Sequence, residues 1–142
     1  TSEPLLPITI PGRAVKMSTV SLFWSFFRWI DDRPAWLSLF WDVVRTPVVQ
    51  HDKGRIAAGL AATTRCLAMM EQRLRDTPFL GGRSFTYADI VAGVAMYRWS
   101  TMPIDRPDLP ALDAWHGRLL ERPAFRKAVC VSYDELVGRL EF

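Results

Sequence analysis

Six tryptophans stand in 142 residues, and four of them, Trp24, Trp29, Trp36 and Trp41, fall within 18 positions together with Phe27 and Phe40. Large flat side chains suit recognition of apolar molecules, and in a helical segment the plain alternative for each ring is core packing. Groups able to make or break bonds are sparse. Cys66 and Cys130 lie far apart, in no C-x-x-C or Cys/His spacing, so the chain specifies neither a disulfide framework nor a zinc site. Cys66 sits among apolar residues, as a small buried hydrophobe would. His51 and His116 share no ligand spacing with each other or with carboxylates. Asp31 and Asp32 are adjacent, and neighbours on a helix point in different directions, so capping suits them better than acid/base work. The nucleophile elbow, the P-loop, the dinucleotide fingerprint and the H-E-x-x-H pair are all missing, and Gly81-Gly82 is too short to cradle a phosphate. The sequence therefore assigns no catalytic residue and no metal site.

The elements that position the rings read as helices. From Ser18 to about Asp31 the apolar residues occupy too many faces for an exposed helix. Asp32 is placed to cap the next one, with Pro34 in its first turn, and Ala35 to Arg45 continues until Thr46-Pro47. Between Arg55 and Arg75 the residues Ile56, Leu60, Thr63, Leu67, Met70 and Leu74 alternate spacings of four and three, a packing seam along one long helix. Beside them Ala57, Ala61, Thr64 and Ala68 form a stripe of small residues that lets a neighbouring helix come close. Thr77-Pro78 ends this helix. Helices over 87–101, 109–121 and 123 to about 131 follow, and residues 133–142 are expected to form another short one.

Thr86 and Asp89 specify a helix start in detail. Thr86 at the N-cap and Asp89 at N3 make a reciprocal capping box, with Phe85 and Ile90 placed as a hydrophobic staple. Ile90 to Trp99 is apolar on nearly every face, so this helix is expected to be central and buried. No segment alternates with period two between turns, which predicts an all-α bundle of five to six helices without a sheet. Residues 1–16, with Pro4, Pro7, Pro11 and Gly12, read as an extended arm, and residues 17–142 as the helical domain.

The stretch Phe79-Leu80-Gly81-Gly82-Arg83-Ser84-Phe85-Thr86-Tyr87-Ala88-Asp89-Ile90 resembles the turn and buried helix of the C-terminal domain of bacterial cytosolic glutathione S-transferases. Arg98-Trp99, the run Pro103 to Leu112, Trp115 and Glu121-Arg122-Pro123-Ala124-Phe125 resemble the next two helices of that family, and Phe40-Trp41-Asp42-Val43-Val44-Arg45-Thr46-Pro47 resembles the segment towards which its long first helix continues. The resemblance implies a wall for a hydrophobic substrate, to which Trp29, Trp36, Phe40 and Tyr97 are assigned, and a share of a homodimer interface. It also implies that the thiolate-stabilising residue and the glutathione site lie in a thioredoxin-like domain, in the same chain or another. Residues 1–16 cannot supply that domain; the Ile10-Pro11 step has no sheet around it. Glutathione is then a co-substrate only where such a domain is present, and these residues alone are expected to conjugate nothing. The alternative is a stand-alone interaction module without catalysis.

Bulk properties narrow the partners. The net charge is +3, and 15 of the 18 cations are Arg, scattered without a run, so no nucleic-acid groove is marked. The apolar run from Val20 to Phe27 is too short to span a bilayer and lacks a cleavage site, so neither a membrane span nor a leader is read there. A reducing cytoplasm suits two unpaired cysteines.

Overall fold

The computed structural model describes residues 6–10, 13–17 and 35–141, and contacts separate the chain into two units at Pro34 and Ala35. In the first unit, β1 (Leu6–Ile10) and β2 (Arg13–Met17) pair antiparallel, with Leu6 opposite Met17, Ile8 opposite Val15 and Ile10 opposite Arg13. The expected extended arm thus contains a two-stranded hairpin, and the expected absence of a sheet holds for the second unit only. The signal was present: two five-residue runs separated by two residues, one of them Gly12, have the spacing of a tight hairpin. The prolines masked it.

The second unit is all-α among its described residues. It contains α1 (Ala35–Phe40), α2 (Lys53–Asp76), α3 (Tyr87–Thr101), α4 (Pro110–Leu120) and α5 (Pro123–Val129). The expected helix over 35–45 changes its hydrogen-bond spacing midway: α1 passes into a π-helical turn, Trp41–Arg45, closed by Thr46 N donating to Trp41 O at 2.8 Å. The wider turn carries both Val44 and Arg45 inward. Thr46 Oγ1 donates to the same carbonyl and Pro47 ends the helix. His51 Nε2 donates to Thr46 O at 2.9 Å, so this histidine holds a turn.

Asp52 starts α2 by accepting from Gly54 N and Arg55 N at 2.9 and 3.0 Å, which satisfies two of the four orphaned amides of a helix start. Thr63, Leu67, Met70 and Leu74 of the expected seam are buried, with Ile56 and Leu60 half-buried at its outer end. The close approach of α1 falls at Gly59, where a Cβ would stand 3.4 Å from the Leu39 Cβ. Ala57 and Ala61 of the small-residue stripe stay exposed.

Glu71 belongs to the same seam and was not foreseen there. Its Oε2 accepts from Leu112 N at 2.8 Å, so an acid of α2 caps the start of α4, while Arg75 Nε bonds Oε1 at 3.3 Å. A carboxylate in this position answers the positive end of a helix dipole. Trp115, Leu112 and Leu119 of α4 are fully buried, as are Leu39, Met96 and Met102. On α3, Gly93 makes room for α5: a Cβ there would stand 2.6 Å from the Phe125 ring and 2.9 Å from Leu119.

Two expectations about the later elements need correction. α3 is not buried all round, since Tyr87, Ile90 and Val94 are 68%, 39% and 38% exposed. They sit at i, i+3 and i+7, one face of the helix, while α1, α4 and α5 cover the others. The tail is not a helix; after the single 3-10 turn Asp134–Leu136 it runs irregularly.

Candidate functional site

α3 carries a polar cluster at its start and an aromatic cluster at its end. At the start, Thr86 and Asp89 form the expected capping box. Asp89 is fully buried and its carboxylate collects four donors: Thr86 N at 2.8 Å and Thr86 Oγ1 at 3.1 Å on Oδ2, Leu80 N at 2.9 Å and Trp115 Nε1 at 2.8 Å on Oδ1. One acid therefore ties together the 77–86 turn, α3 and α4. No lone pair is left for a substrate, which makes this a structural hub. Of the two residues expected as a staple, Ile90 is 39% exposed. Phe85 meets Phe79 edge-on at 6.0 Å and lies 3.9 Å beneath the Arg122 guanidinium. Arg118 donates twice to Pro78 O, fixing the turn to α4.

At the other end of α3 the polar groups are few and the rings many. Phe40 of α1 is buried, with Tyr133 edge-on at 5.1 Å between ring centres. The Arg98 guanidinium lies 4.8 Å above Phe40 and 5.7 Å from Tyr133, and such stacking holds its cation against aromatic faces. Tyr133 Oη donates to Thr101 Oγ1 at 2.9 Å. Tyr97 is half-buried beside this group; desolvation first, then Cys130 and Tyr133, push its phenol above the ordinary range, while Arg98 pulls the other way. Tyr97 is thus a neutral donor at physiological pH.

Of the residues assigned from sequence, Phe40 and Tyr97 meet in this cluster through Arg98, the chain neighbour of Tyr97. Trp36 is half-buried on α1, and its indole Nε1 is buried without a hydrogen-bond partner. Trp29 lies outside the described residues, as do Asp31, Asp32 and the apolar run before them. Tyr133 was not foreseen as part of the site, and nothing in the tail sequence around it marks it. Arg98 was visible as half of the Arg98-Trp99 pair, though not as the cover of Phe40.

The remaining reactive groups have structural surroundings. Burial pushes the Cys66 thiol up, against the pull of Arg65, so it is a poor nucleophile. Burial likewise lowers the His116 pKa, opposed by Asp113, and its Nε2 has no partner. Among the described residues no three His, Cys, Asp or Glu side chains stand close enough to hold a metal ion, and no helix is long and apolar enough to cross a membrane.

A long capped hairpin, a central helix with a buried capping box and two shorter helices packed on it define a transferase-type C-terminal bundle. Residues 53–118 match the family described as "Glutathione S-transferase, C-terminal domain", and the chain carries the C-terminal domain of a glutathione S-transferase-like protein. It is similar to "Disulfide-bond oxidoreductase YfcG" of Escherichia coli K12, 34% identical over 47% of this chain and 31% of that protein. It is also similar to "Glutathione S-transferase" of Hyoscyamus muticus, 33% identical over 68% of this chain and 47% of that protein. Among solved structures, the theta class glutathione S-transferase of Xanthomonas axonopodis pv. citri superposes with a TM-score of 0.74 at 38% identity, covering 80% of this chain and 61% of that one; the same protein is also solved with glutathione bound. The chain spans 31% and 47% of the length of these two curated relatives.

Proposed function

We propose that this domain supplies the hydrophobic-substrate wall and part of the dimer face of a glutathione S-transferase-like enzyme, and that a thioredoxin-like domain of the same or another chain supplies glutathione binding. The observation that carries the reading is the exposed stripe Tyr87, Ile90 and Val94. A helix covered on its other faces gains nothing from an apolar open face unless something sits on it. The length of the relatives beyond the matched region supports a companion domain as the occupant. The apolar ligand is taken at the end of α3, against Trp36, Phe40 and Tyr97, where rings dominate and Tyr97 keeps its proton to donate. Ala57 and Ala61, exposed and small, suit the close approach of a second copy in a two-fold pair. The two free cysteines fit a reducing cytoplasm.

The test is a titration of the protein with a separately produced thioredoxin-like half of a theta class transferase, followed by an aryl halide conjugation assay with glutathione. The protein alone is expected to leave the uncatalysed rate unchanged. Binding of the added half, weakened roughly tenfold or more by Ile90→Asp, and conjugation by the mixture support the reading. Binding without conjugation favours an interaction module without catalysis. Conjugation by the protein alone contradicts the proposal.

A further inference from the structure

We infer that residues 131–141 form a strap over the Phe40 ring, clasped by Arg45, whose release opens the aromatic cluster to ligand. The inference rests on the proposed reading only in taking Phe40 and Tyr97 as ligand-facing.

Arg45 is a cation only 3% exposed. Burying a guanidinium is costly unless its donors are met. The tail meets two of them: Nε donates to Arg139 O at 2.8 Å and Nη2 to Glu141 O at 3.0 Å, while the guanidinium carbon lies 4.2 Å over the Trp41 ring. One residue earlier, Val44 O accepts from Gly138 N at 2.8 Å. The π-helical turn presents both groups to the tail, so a local widening of the helix has a specific consequence: it creates the clasp.

The strap itself is not held by burial. Val131, Val137 and Leu140 are 62%, 59% and 48% exposed. A segment with most of its apolar side chains facing outward, Tyr133 and Leu136 half-buried, and a clasp made of hydrogen bonds opens at lower free energy than a packed helix. What it covers is apolar. Tyr133 meets Phe40 edge-on, and its hydroxyl pins it to Thr101 at the last turn of α3. Lifting the tail from Arg45 loosens the stretch that carries Tyr133 and uncovers one side of Phe40, next to Tyr97.

Gly138 provides a test remote from the core. Its φ is +69°, in the left-handed region, with open space where a side chain would go. Gly138→Ala therefore strains the backbone of the strap without clashing with anything.

Amide hydrogen exchange is measured on the protein, on Gly138→Ala, on Arg45→Gln and on Tyr133→Phe, together with binding of anilinonaphthalene sulfonate. In the parent protein the amides of 136–139 are expected to be protected, but at least tenfold less than those of α2 and α4. In Gly138→Ala and Arg45→Gln they should exchange at least tenfold faster than in the parent while α2 and α4 keep their protection, and probe fluorescence should rise; Tyr133→Phe should raise probe binding by a smaller factor. Unprotected tail amides in the parent overturn the inference, as does faster exchange throughout α2 and α4 in Gly138→Ala, or a released tail with unchanged probe binding. Exchange needs neither ligand nor companion domain, so failure of the strap is distinguishable from failure of the proposed function.

Discussion

The two ends of α3 solve opposite problems with the same length of helix. At its start, Asp89 is wholly enclosed and all its neighbours donate to it, so geometry is fixed by hydrogen bonds that have no alternative arrangement. At its end, Phe40, Arg98 and Tyr133 meet through faces and edges, which tolerate sliding and replacement. A saturated buried carboxylate belongs to the architecture. Rings covered by a loosely clasped segment are where a ligand can take over contacts.

Removing Asp89 should have the largest effect. Asp89→Ala leaves two backbone amides and the Trp115 indole without partners inside the core, and about 3–5 kcal/mol of stability should be lost in urea unfolding. A loss below about 1 kcal/mol would mean that the hub is wet and replaceable. Gly93→Ala comes next: its methyl group would overlap the Phe125 ring, and overpacking of that kind costs roughly 1–3 kcal/mol. Thr86→Ala removes one member of the cap and should cost about 1–2 kcal/mol, and with Asp89→Ala the losses should sum to less than their total because the two share one motif.

The pH dependence should be smaller and one-sided. His116 has its folded pKa lowered by burial, so the unfolded chain takes up the proton first as pH falls through the ordinary histidine range. Stability is then unaffected above about pH 7.5 and declines below about pH 6.5, as an acid-side slope in unfolding free energy. His116→Gln should flatten that slope. Smallest of all, Val94→Ser on the open face should change stability of the protein by less than about 0.5 kcal/mol, although it weakens docking of a companion domain in the titration. A large loss there would place the stripe inside a core.

Much of this architecture was legible because local signals agreed. The Thr86-x-x-Asp89 box, the seam through Leu67 and Leu74 and the stops at Thr46-Pro47 and Thr77-Pro78 each act within a few residues, and the structure uses them where they stand. What stayed hidden depends on distant partners. Nothing near Glu71 announces that it caps α4, 41 residues away, and nothing near Arg45 announces the tail. The exposed face of α3 was concealed for a different reason: apolar residues all round a helix say that it is to be covered, not by which chain. For the site, residue type pointed to Phe40 and Tyr97, but Tyr133 and Arg98 joined them only through folding.

The central claim is that ligand meets the end of α3 and not its start. The direct measurement is a titration of isotope-labelled protein with an aryl halide, followed by amide and indole chemical shifts. Shifts are expected only at residues 36–41, 97–101 and 133–139, with Leu80, Thr86, Asp89 and the Trp115 indole unmoved. Shifts centred on the 80–89 turn and the Trp115 indole, with the Phe40 region unchanged, would contradict it.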